Sequence, residues 1–225
     1  MKPIFITGAT GYIGKRLTKQ LLQRGHRVIA LVRKGSEHKV CKGAEIVVAD
    51  PFDSVSFYSF IPNSCVFVQL LGVSNPSPKK VKQFKEIDLR SVKASTDAAA
   101  IAEASHFIYI SVSMAPSKLM AEYQAVRKEG EEYCKSKGLN CTFIRPWYVL
   151  GPGHYWPVLL LPLYGIAELI PSLQKKARGM ALVTIGQMLR TLINAVEADP
   201  LPLRIMEIKQ IRNTLCKLIP VYFLT

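Results

Sequence analysis

The 225-residue sequence lacks the features that would place it in several classes of protein. No apolar run reaches the roughly 20 residues that a helix needs to span a bilayer. The five cysteines are an odd number and none belongs to a C-x-x-C pair, which disfavours a zinc site or a disulfide framework. We therefore expect no metal, no transmembrane segment and a location in the reducing cytoplasm.

Acidic residues are scarce, because 30 lysines and arginines face only 16 aspartates and glutamates and leave a formal net charge of +14. Such an excess is typical of proteins that bind nucleic acid, an acidic membrane surface or an anionic ligand. The basic residues are spread along the chain, without an aromatic-interleaved stripe or a known nucleic-acid-binding motif. We therefore expect an anionic small molecule and no nucleic acid, and most of the positive charge is left unexplained.

The remaining composition is that of a globular protein, with 49% hydrophobic and 20% charged residues, and the length suits one α/β domain better than two. Met1–Gly8 does not have the form of a secretory signal and instead predicts a first strand. Short β-branched runs then alternate with helical patterns, as in βαβ units with a parallel sheet. The predicted strands are Pro3–Thr7, Arg27–Val32, Glu45–Val48, Cys65–Leu70, Phe107–Val112, Cys141–Arg145 and Arg204–Ile208.

Helical patterns lie between the predicted strands. The first has one apolar face over residues 13–21, and we expect Gly25 to end it. Two longer patterns cover Ile87–Ala104 and Leu119–Lys137. Near the end of the chain, Thr184–Gln187 has the spacing of a capping box, which predicts the start of another helix.

The pattern changes after Arg145 to a long loop rich in proline and glycine, followed by an apolar segment. We expect a single domain over residues 1–225, in which 146–203 contributes a small cap on the substrate side of the sheet. Alternatively, Trp156–Ile170 forms an interfacial or subunit-docking surface. The side chains that would wall an apolar substrate pocket, or form the core of a lid, are Trp147, Tyr148, His154, Tyr155 and Trp156.

A glycine-rich turn, T-G-A-T-G-Y-I-G, lies between the first predicted strand and the first helix. Gly8 would allow the tight turn, Gly11 would let the backbone approach a pyrophosphate, and Gly14 would permit close helix–strand packing. The helix N-terminus would present N–H groups and a partial positive charge to the phosphates. The pattern therefore predicts a dinucleotide cofactor, held by Gly8, Thr10, Gly11, Tyr12, Ile13 and Gly14.

The end of the second predicted strand indicates which dinucleotide is bound. A site that prefers NAD normally carries an acidic residue here, whereas this chain has Arg33 followed by Lys34. A guanidinium can fork onto a 2′-phosphate, so we expect NADP, with NAD possible, unless Arg33 is simply a solvated strand-end residue. Asp50 is placed to accept a hydrogen bond from the adenine amino group. Gly72 would let the backbone pass close to the cofactor.

The glycine turn resembles the cofactor turn of the atypical and extended short-chain dehydrogenase/reductases, which include NAD-dependent epimerase/dehydratase-like and NmrA-like proteins. The strand Phe107–Ser113, which ends in serines, is similar to a strand of that family. Arg145–Gly153 resembles its R-P-x-x-x-x-G-P-G segment. Together the motifs cover roughly residues 3–155. The resemblance implies an α/β fold with a Rossmann-type, doubly wound parallel sheet and a small C-terminal cap.

In that family a serine, a tyrosine and a lysine four residues after the tyrosine carry the chemistry. The resemblance assigns the serine to Ser113, with Ser111 as the next candidate, and the tyrosine to Tyr123, an acid/base during hydride transfer. The lysine position holds Arg127, which keeps the positive charge on a bulkier, delocalised group. Lys128 lies about 100° around the helix and cannot replace it.

Three functions follow from these patterns. The first is an NADP-dependent oxidoreductase, monomeric or homodimeric, that acts on a small carbonyl or hydroxyl substrate. The second is a non-catalytic dinucleotide-binding protein, such as a redox sensor or an assembly or accessory subunit, because the lysine is missing and Tyr123 would then be a helix residue packed on the sheet. The third is a nucleic-acid-associated regulator, which only the net charge favours.

Overall fold

The computed structural model describes residues 2–153 and 181–214 of the chain. Seven strands of this described part form one parallel sheet in the order β3-β2-β1-β4-β5-β6-β9, while β7 and β8 form a separate parallel pair. The strands are β1 (Ile4–Thr7), β2 (Val28–Val32), β3 (Glu45–Val48), β4 (Val66–Gln69), β5 (His106–Ile110), β6 (Cys141–Ile144), β7 (Tyr148–Leu150), β8 (Leu182–Thr184) and β9 (Leu203–Met206).

This strand order confirms the Rossmann-type, doubly wound sheet. Chain order reverses between β1 and β4, and ligands of such sheets bind beyond the carboxyl ends of the strands at that point. The last predicted strand differs from the observed one, since β9 ends at Met206 and Ile208 instead opens a helix after the N-cap residue Glu207. Likewise β5 ends at Ile110, so the serines at the predicted end of this strand lie in the following loop.

Six α-helices of the described part flank the sheet. The second and third are joined by a π-helical segment, Phe84–Leu89, where the sequence predicts the start of an α-helix. None of the helices described is long and apolar enough to span a bilayer. The helices are α1 (Tyr12–Gln23), α2 (Val81–Gln83), α3 (Arg90–Ile101), α4 (Ala121–Ser136), α5 (Ile185–Glu197) and α6 (Ile208–Asn213).

Alternate residues of each central strand point to opposite faces of the sheet, and helices cover both faces. In β1, Ile4 and Ile6 pack with the apolar residues of α1 and α5. Phe5 points to the other face, towards α3 and α4, and stacks on Phe67 with ring centroids 5.2 Å apart. Phe107 continues the stack at the same spacing. The aromatic stack ties β1, β4 and β5 together on this face of the sheet.

The predicted capping box opens α5. Thr184 Oγ1 accepts a hydrogen bond from Gln187 N at 3.2 Å, and Gln187 Oε1 accepts one from Thr184 N at 2.8 Å. The helix then packs against α1 and buries Met188 and Leu192 in the same core as β1. The described end of the predicted cap segment, from Ala181 onwards, therefore lies in the helical layer beside the sheet.

The middle of the predicted cap, residues 154–180, cannot be compared with the fold. His154, Tyr155 and Trp156 lie outside the described residues, as does the apolar segment Val158–Ile170. A cap formed by residues 146–203 therefore stays a prediction.

Candidate cofactor and active site

The glycine turn connects β1 to α1, and steric contacts that only glycine permits determine its shape. Gly8 has a φ of +70°, and a Cβ there would lie 2.8 Å from Leu71 N, just beyond the carboxyl end of β4. A Cβ at Gly14 would lie 2.8 Å from Ala9 Cα and closer still to Gly8 O. The turn is therefore pressed against the end of β4 on one side and against α1 on the other.

The amino-terminal end of α1 faces this turn without a side-chain cap. Its N-cap residue is Gly11, and the first turn of the helix contains no acidic residue. Gly11 N donates to Gly8 O at 3.0 Å and closes the turn, and Gly11 itself has no side chain that could cap the helix. The first N–H groups of a helix, together with the helix dipole, bind phosphate. The cradle therefore fits the pyrophosphate of a dinucleotide.

A cavity of about 390 Å³ opens beside the turn at the carboxyl ends of β1 and β2. Its described lining contains two cations, Arg33 and Lys80, and no carboxylate. Arg33 is exposed at the end of β2, and Lys80 Nζ donates to Ser74 O at 2.6 Å across the loop that follows β4. Nothing in the sequence pattern singles out Lys80, because only the fold brings this loop beside β2. The described lining of this cavity therefore carries net positive charge beside the glycine turn.

Of three other residues predicted to bind the cofactor, one lines this cavity and two do not. Gly72 is part of the lining. Lys34 is exposed and lies outside the lining. Asp50 is also outside the lining, although its neighbour Phe52 is part of it. Asp50 Oδ1 accepts a hydrogen bond from Phe52 N at 3.0 Å in a local turn.

A second cavity, of about 290 Å³, adjoins the first and shares Gly8, Gly11 and Gly72 with it. It runs from the glycine turn across the end of β5 to α4, which is where the nicotinamide end of a dinucleotide would follow the pyrophosphate. The polar and aromatic side chains of its described lining are Tyr12, Ser74, Asn75, Ser111, Tyr123, Arg127, Trp147 and Tyr148.

Arg127 reaches this cavity from α4, and its guanidinium is held by four protein acceptors. Nε donates to Tyr123 Oη at 3.1 Å, and Nη1 donates to Tyr109 Oη at 3.2 Å and to Ile110 O at 2.9 Å. Nη2 forms an ion pair with Asp88. Four of the five N–H groups of an arginine are thus engaged, and the fifth belongs to Nη2. The fold therefore places a fixed, paired cation where the family has a lysine.

Tyr123 is buried on α4, with its ring packed on Phe84 at a centroid distance of 4.8 Å and its phenol in the lining of the second cavity. Burial raises the pKa of this phenol above its usual value, against the opposite effect of Arg127. The phenol oxygen already accepts from Arg127, so the phenol keeps its own hydrogen to donate. The phenol is therefore protonated at neutral pH.

The two candidate serines have different surroundings. Ser111 lines the second cavity, and its hydroxyl is buried without a hydrogen-bond partner among the residues that the structure describes. Ser113 is absent from that lining, and its Oγ accepts from Ala115 N at 3.3 Å. Gln124 Nε2 further holds the loop by donating to Ser113 O at 2.6 Å. Ser111, Tyr123 and Arg127 therefore line the same cavity.

Tyr12 links the glycine turn to the R-P-x-x-x-x-G-P-G segment. A Cβ at Gly151, in that segment, would overlap the Tyr12 hydroxyl and lie 2.8 Å from Ile185 Cγ2. Arg16 stacks on the other side, with Cζ 4.1 Å from the centre of the Tyr12 ring. The first glycine of G-P-G thus provides space for Tyr12, and Tyr12 braces the turn as well as lining the second cavity.

Arg145, the arginine of the same segment, is a structural brace. Its Nε donates to Glu131 Oε1 at 2.9 Å and its Nη2 to Glu131 Oε2 at 2.5 Å, while Nη1 donates to Glu207 Oε1 at 2.8 Å. Glu131 is buried on α4, and Glu207 precedes α6. Arg145 therefore connects β6 with both helices and takes no part in either cavity.

Comparisons with known proteins agree with this geometry. A family model described as NAD(P)H-binding matches residues 8–152. The ceramide reductase of Caulobacter vibrioides is 26% identical over 177 residues, which are 78% of this chain and 55% of that protein. The photosystem II assembly factor Ycf39 of Cyanophora paradoxa is 26% identical over 144 residues, which are 63% of this chain and 44% of that protein. The chain spans about half the length of these curated relatives.

Among solved structures, a mutant of UDP-glucuronic acid 4-epimerase from Bacillus cereus, in complex with a UDP-sugar and NAD, superimposes with a TM-score of 0.67. The match covers 92% of this chain and 77% of that chain at 15% sequence identity, so it shows the shared fold alone. The family match includes the glycine turn, both cavities' central residues and α4. The chain belongs to the NAD(P)H-binding family and has the Rossmann-type fold of the extended short-chain dehydrogenase/reductases.

Proposed function

We propose that this protein is an NADP(H)-dependent reductase of a small, uncharged carbonyl substrate. The observation that carries the proposal is that the Tyr123 phenol and the Ser111 hydroxyl line one cavity that begins at the glycine turn. When bound, NADPH supplies the hydride. The chain's own residues bind the dinucleotide, orient the substrate oxygen and deliver a proton to it.

Tyr123 acts as the proton donor in this proposal. Its oxygen accepts from Arg127 Nε at 3.1 Å, which leaves the phenol O–H to bond the substrate oxygen. Because burial raises the phenol pKa, Tyr123 is protonated at neutral pH and is suited to an acid rather than a base. The alkoxide that forms as a carbonyl is reduced is more basic than a phenolate, so the proton transfer is favourable. This favours reduction over oxidation.

We assign the substrate-orienting hydroxyl to Ser111, the second of the two candidates. A buried hydroxyl without a partner among the described residues gains a hydrogen bond when a carbonyl oxygen enters the cavity. Ser113, in contrast, is absent from the described lining of this cavity.

An uncharged substrate is supported by the charges around the second cavity. The one charged side chain of the described lining is Arg127, and Asp88 neutralises it. Trp147, Tyr148 and Val149 add apolar surface to the lining.

A comparison of point variants tests the catalytic assignment. NADPH oxidation is followed with a panel of uncharged aldehydes and ketones. We expect Tyr123→Phe to lower kcat by about 100- to 10,000-fold, because the variant loses the proton donor. The matched control is Tyr133→Phe, which removes a phenol of the same helix that bonds Asp97 instead. Full turnover by Tyr123→Phe would refute the role of Tyr123.

The preference for NADP rests on Arg33 within a cavity lining that has no carboxylate. A hydrogen bond to a charged group is worth about 1.5–3 kcal/mol, and exposure of Arg33 reduces this to about 1–2 kcal/mol. We therefore expect Arg33→Ser to weaken NADPH binding roughly 5- to 30-fold and to leave NADH binding unchanged. Lys34→Ser, which removes the adjacent cation outside the lining, is the control. An equal loss in both variants would point to net charge alone.

A second candidate is a non-catalytic dinucleotide-binding accessory protein. The observation that favours it is the engagement of Arg127 by four protein acceptors, which leaves a single N–H group for a ribose hydroxyl. One relative is named as an assembly factor and another as a reductase. NADPH binding without turnover of any carbonyl in the panel would favour the accessory role over the reductase.

A further inference from the structure

Asp88 is a buried carboxylate to which neither the glycine turn nor the family resemblance points. It is fully buried in the π-helical segment between α2 and α3. Its Oδ2 accepts a hydrogen bond from Val73 N at 3.1 Å, and its Oδ1 pairs with Arg127 Nη2. Asp88 is therefore fixed to the backbone beyond β4 and fixes the guanidinium in turn.

The backbone of Gly72 lies close against both members of this ion pair. A Cβ at Gly72 would lie 2.5 Å from Arg127 Nη2 and 2.7 Å from Asp88 Oδ1. Any larger residue at Gly72 would displace the pair. The guanidinium that stands at the family's lysine position therefore depends on a carboxylate from one segment and on a glycine from another.

The two charges act on the same phenol in opposite directions. An arginine stays protonated throughout the accessible pH range, so Arg127 without Asp88 would be an unpaired buried cation in contact with Tyr123. Burial raises the pKa of Tyr123 most strongly, Arg127 lowers it, and Asp88 raises it again. Because Asp88 cancels the charge of Arg127, the phenol lies beside a neutral pair.

The titratable and charged groups that face Tyr123 come from each element packed against it. Arg127 lies on the same helix, Asp88 on the π-helical segment, and Tyr109 on β5. Burial raises the pKa of the Tyr109 phenol well above the usual value for tyrosine, so this phenol is neutral at neutral pH. The charge that Tyr123 experiences is therefore set by Asp88 and Arg127.

We propose that Asp88 is a positioning residue that anchors Arg127, cancels its charge and thereby keeps the proton on the Tyr123 phenol. Gly72 provides the space for the pair. The inference rests on the proposed function, since that function makes Tyr123 the proton donor. It concerns the free protein, however, and can be measured without substrate or cofactor.

The test follows the carbon-NMR signal of the tyrosine Cζ atoms as the pH is raised, with Tyr123 assigned from its loss in Tyr123→Phe. In Asp88→Asn the guanidinium charge is uncompensated, and we expect Tyr123 to titrate about 1 to 3 pH units lower than in the unmodified protein. Asp97→Asn is the matched control, because this carboxylate on α3 bonds Tyr133 and Lys137 instead. Its Tyr123 titration should be unchanged.

A second variant keeps the test decisive if Asp88→Asn does not fold. The double variant Asp88→Asn/Arg127→Met removes both charges, and we expect it to fold, by circular dichroism, and to titrate Tyr123 close to the original pH. An unchanged titration in folded Asp88→Asn, or a double variant that fails to fold, would overturn the proposal. Absence of turnover in the unmodified protein would refute the reductase proposal and leave the titration result standing.

Discussion

A single methyl group added at Gly14 should disrupt the glycine turn. Alanine in place of a helical glycine ordinarily stabilises a protein by about 0.5–1 kcal/mol. At Gly14 the new Cβ would lie 2.8 Å from Ala9 Cα and 2.9 Å from Ala9 C, and nearer still to Gly8 O. These are backbone atoms that cannot rotate away, and overpacking of this kind costs about 1–3 kcal/mol. We therefore expect Gly14→Ala to lower the free energy of unfolding by about 1–2 kcal/mol.

The same displacement should weaken cofactor binding, because the turn and the first N–H groups of α1 would move together. We expect NADPH affinity to fall at least about tenfold, which corresponds to about 1.4 kcal/mol. Gly186→Ala is the matched control, since this glycine also lies in a first helical turn but its Cβ would meet nothing closer than 3.6 Å. Urea unfolding and NADPH titration measure both effects. If Gly14→Ala matched Gly186→Ala in stability and bound NADPH normally, the steric argument would be wrong.

Three further predictions concern the braces and the proton donor. Arg145→Met should lower the free energy of unfolding by about 3–5 kcal/mol, because Glu131 then stays buried without its cation. Urea unfolding measures this loss. Adding Glu131→Gln to the variant should recover part of it, because the buried charge is then removed as well. Gly151→Ala should lower the melting temperature, because the added methyl group would overlap the Tyr12 hydroxyl. Adding Tyr12→Phe should restore part of the lost melting temperature. If it restores none, the overlap with Tyr12 is not the cause of the loss. Reductive initial rates should not fall as the pH rises from neutral through the range in which an ordinary tyrosine ionises, because burial raises the pKa of Tyr123 above that range and the donor proton is retained. A decline that begins near pH 8 would contradict this.

The sheet, the glycine turn and the capping box were predictable because neighbouring residues determine each of them. Short, continuous runs of apolar residues identify β1 and β2, and the spacing of Gly8, Gly11 and Gly14 identifies the turn. Thr184 with Gln187 identifies the start of α5. In each case local sequence and tertiary structure favour the same conformation.

The electrostatics of the site could not be predicted in the same way. Asp88 and Arg127 are 39 positions apart, and only the packing of the π-helical segment against α4 brings them into contact. The choice between Ser111 and Ser113 depends on where β5 ends and on which of the two lines the second cavity. Sequence spacing contains neither piece of information. The cytoplasmic location and a monomeric or homodimeric state also stay predictions.

The central claim, that the glycine turn holds a dinucleotide and that Arg33 selects the phosphorylated form, is tested most directly by calorimetric titration of the unmodified protein with NADPH and NADH side by side. We predict saturable binding of both and tighter binding of NADPH, by the roughly 5- to 30-fold that the Arg33 contact is worth. Tighter binding of NADH would contradict the assignment of Arg33. Absence of binding by either dinucleotide would contradict the account of the turn.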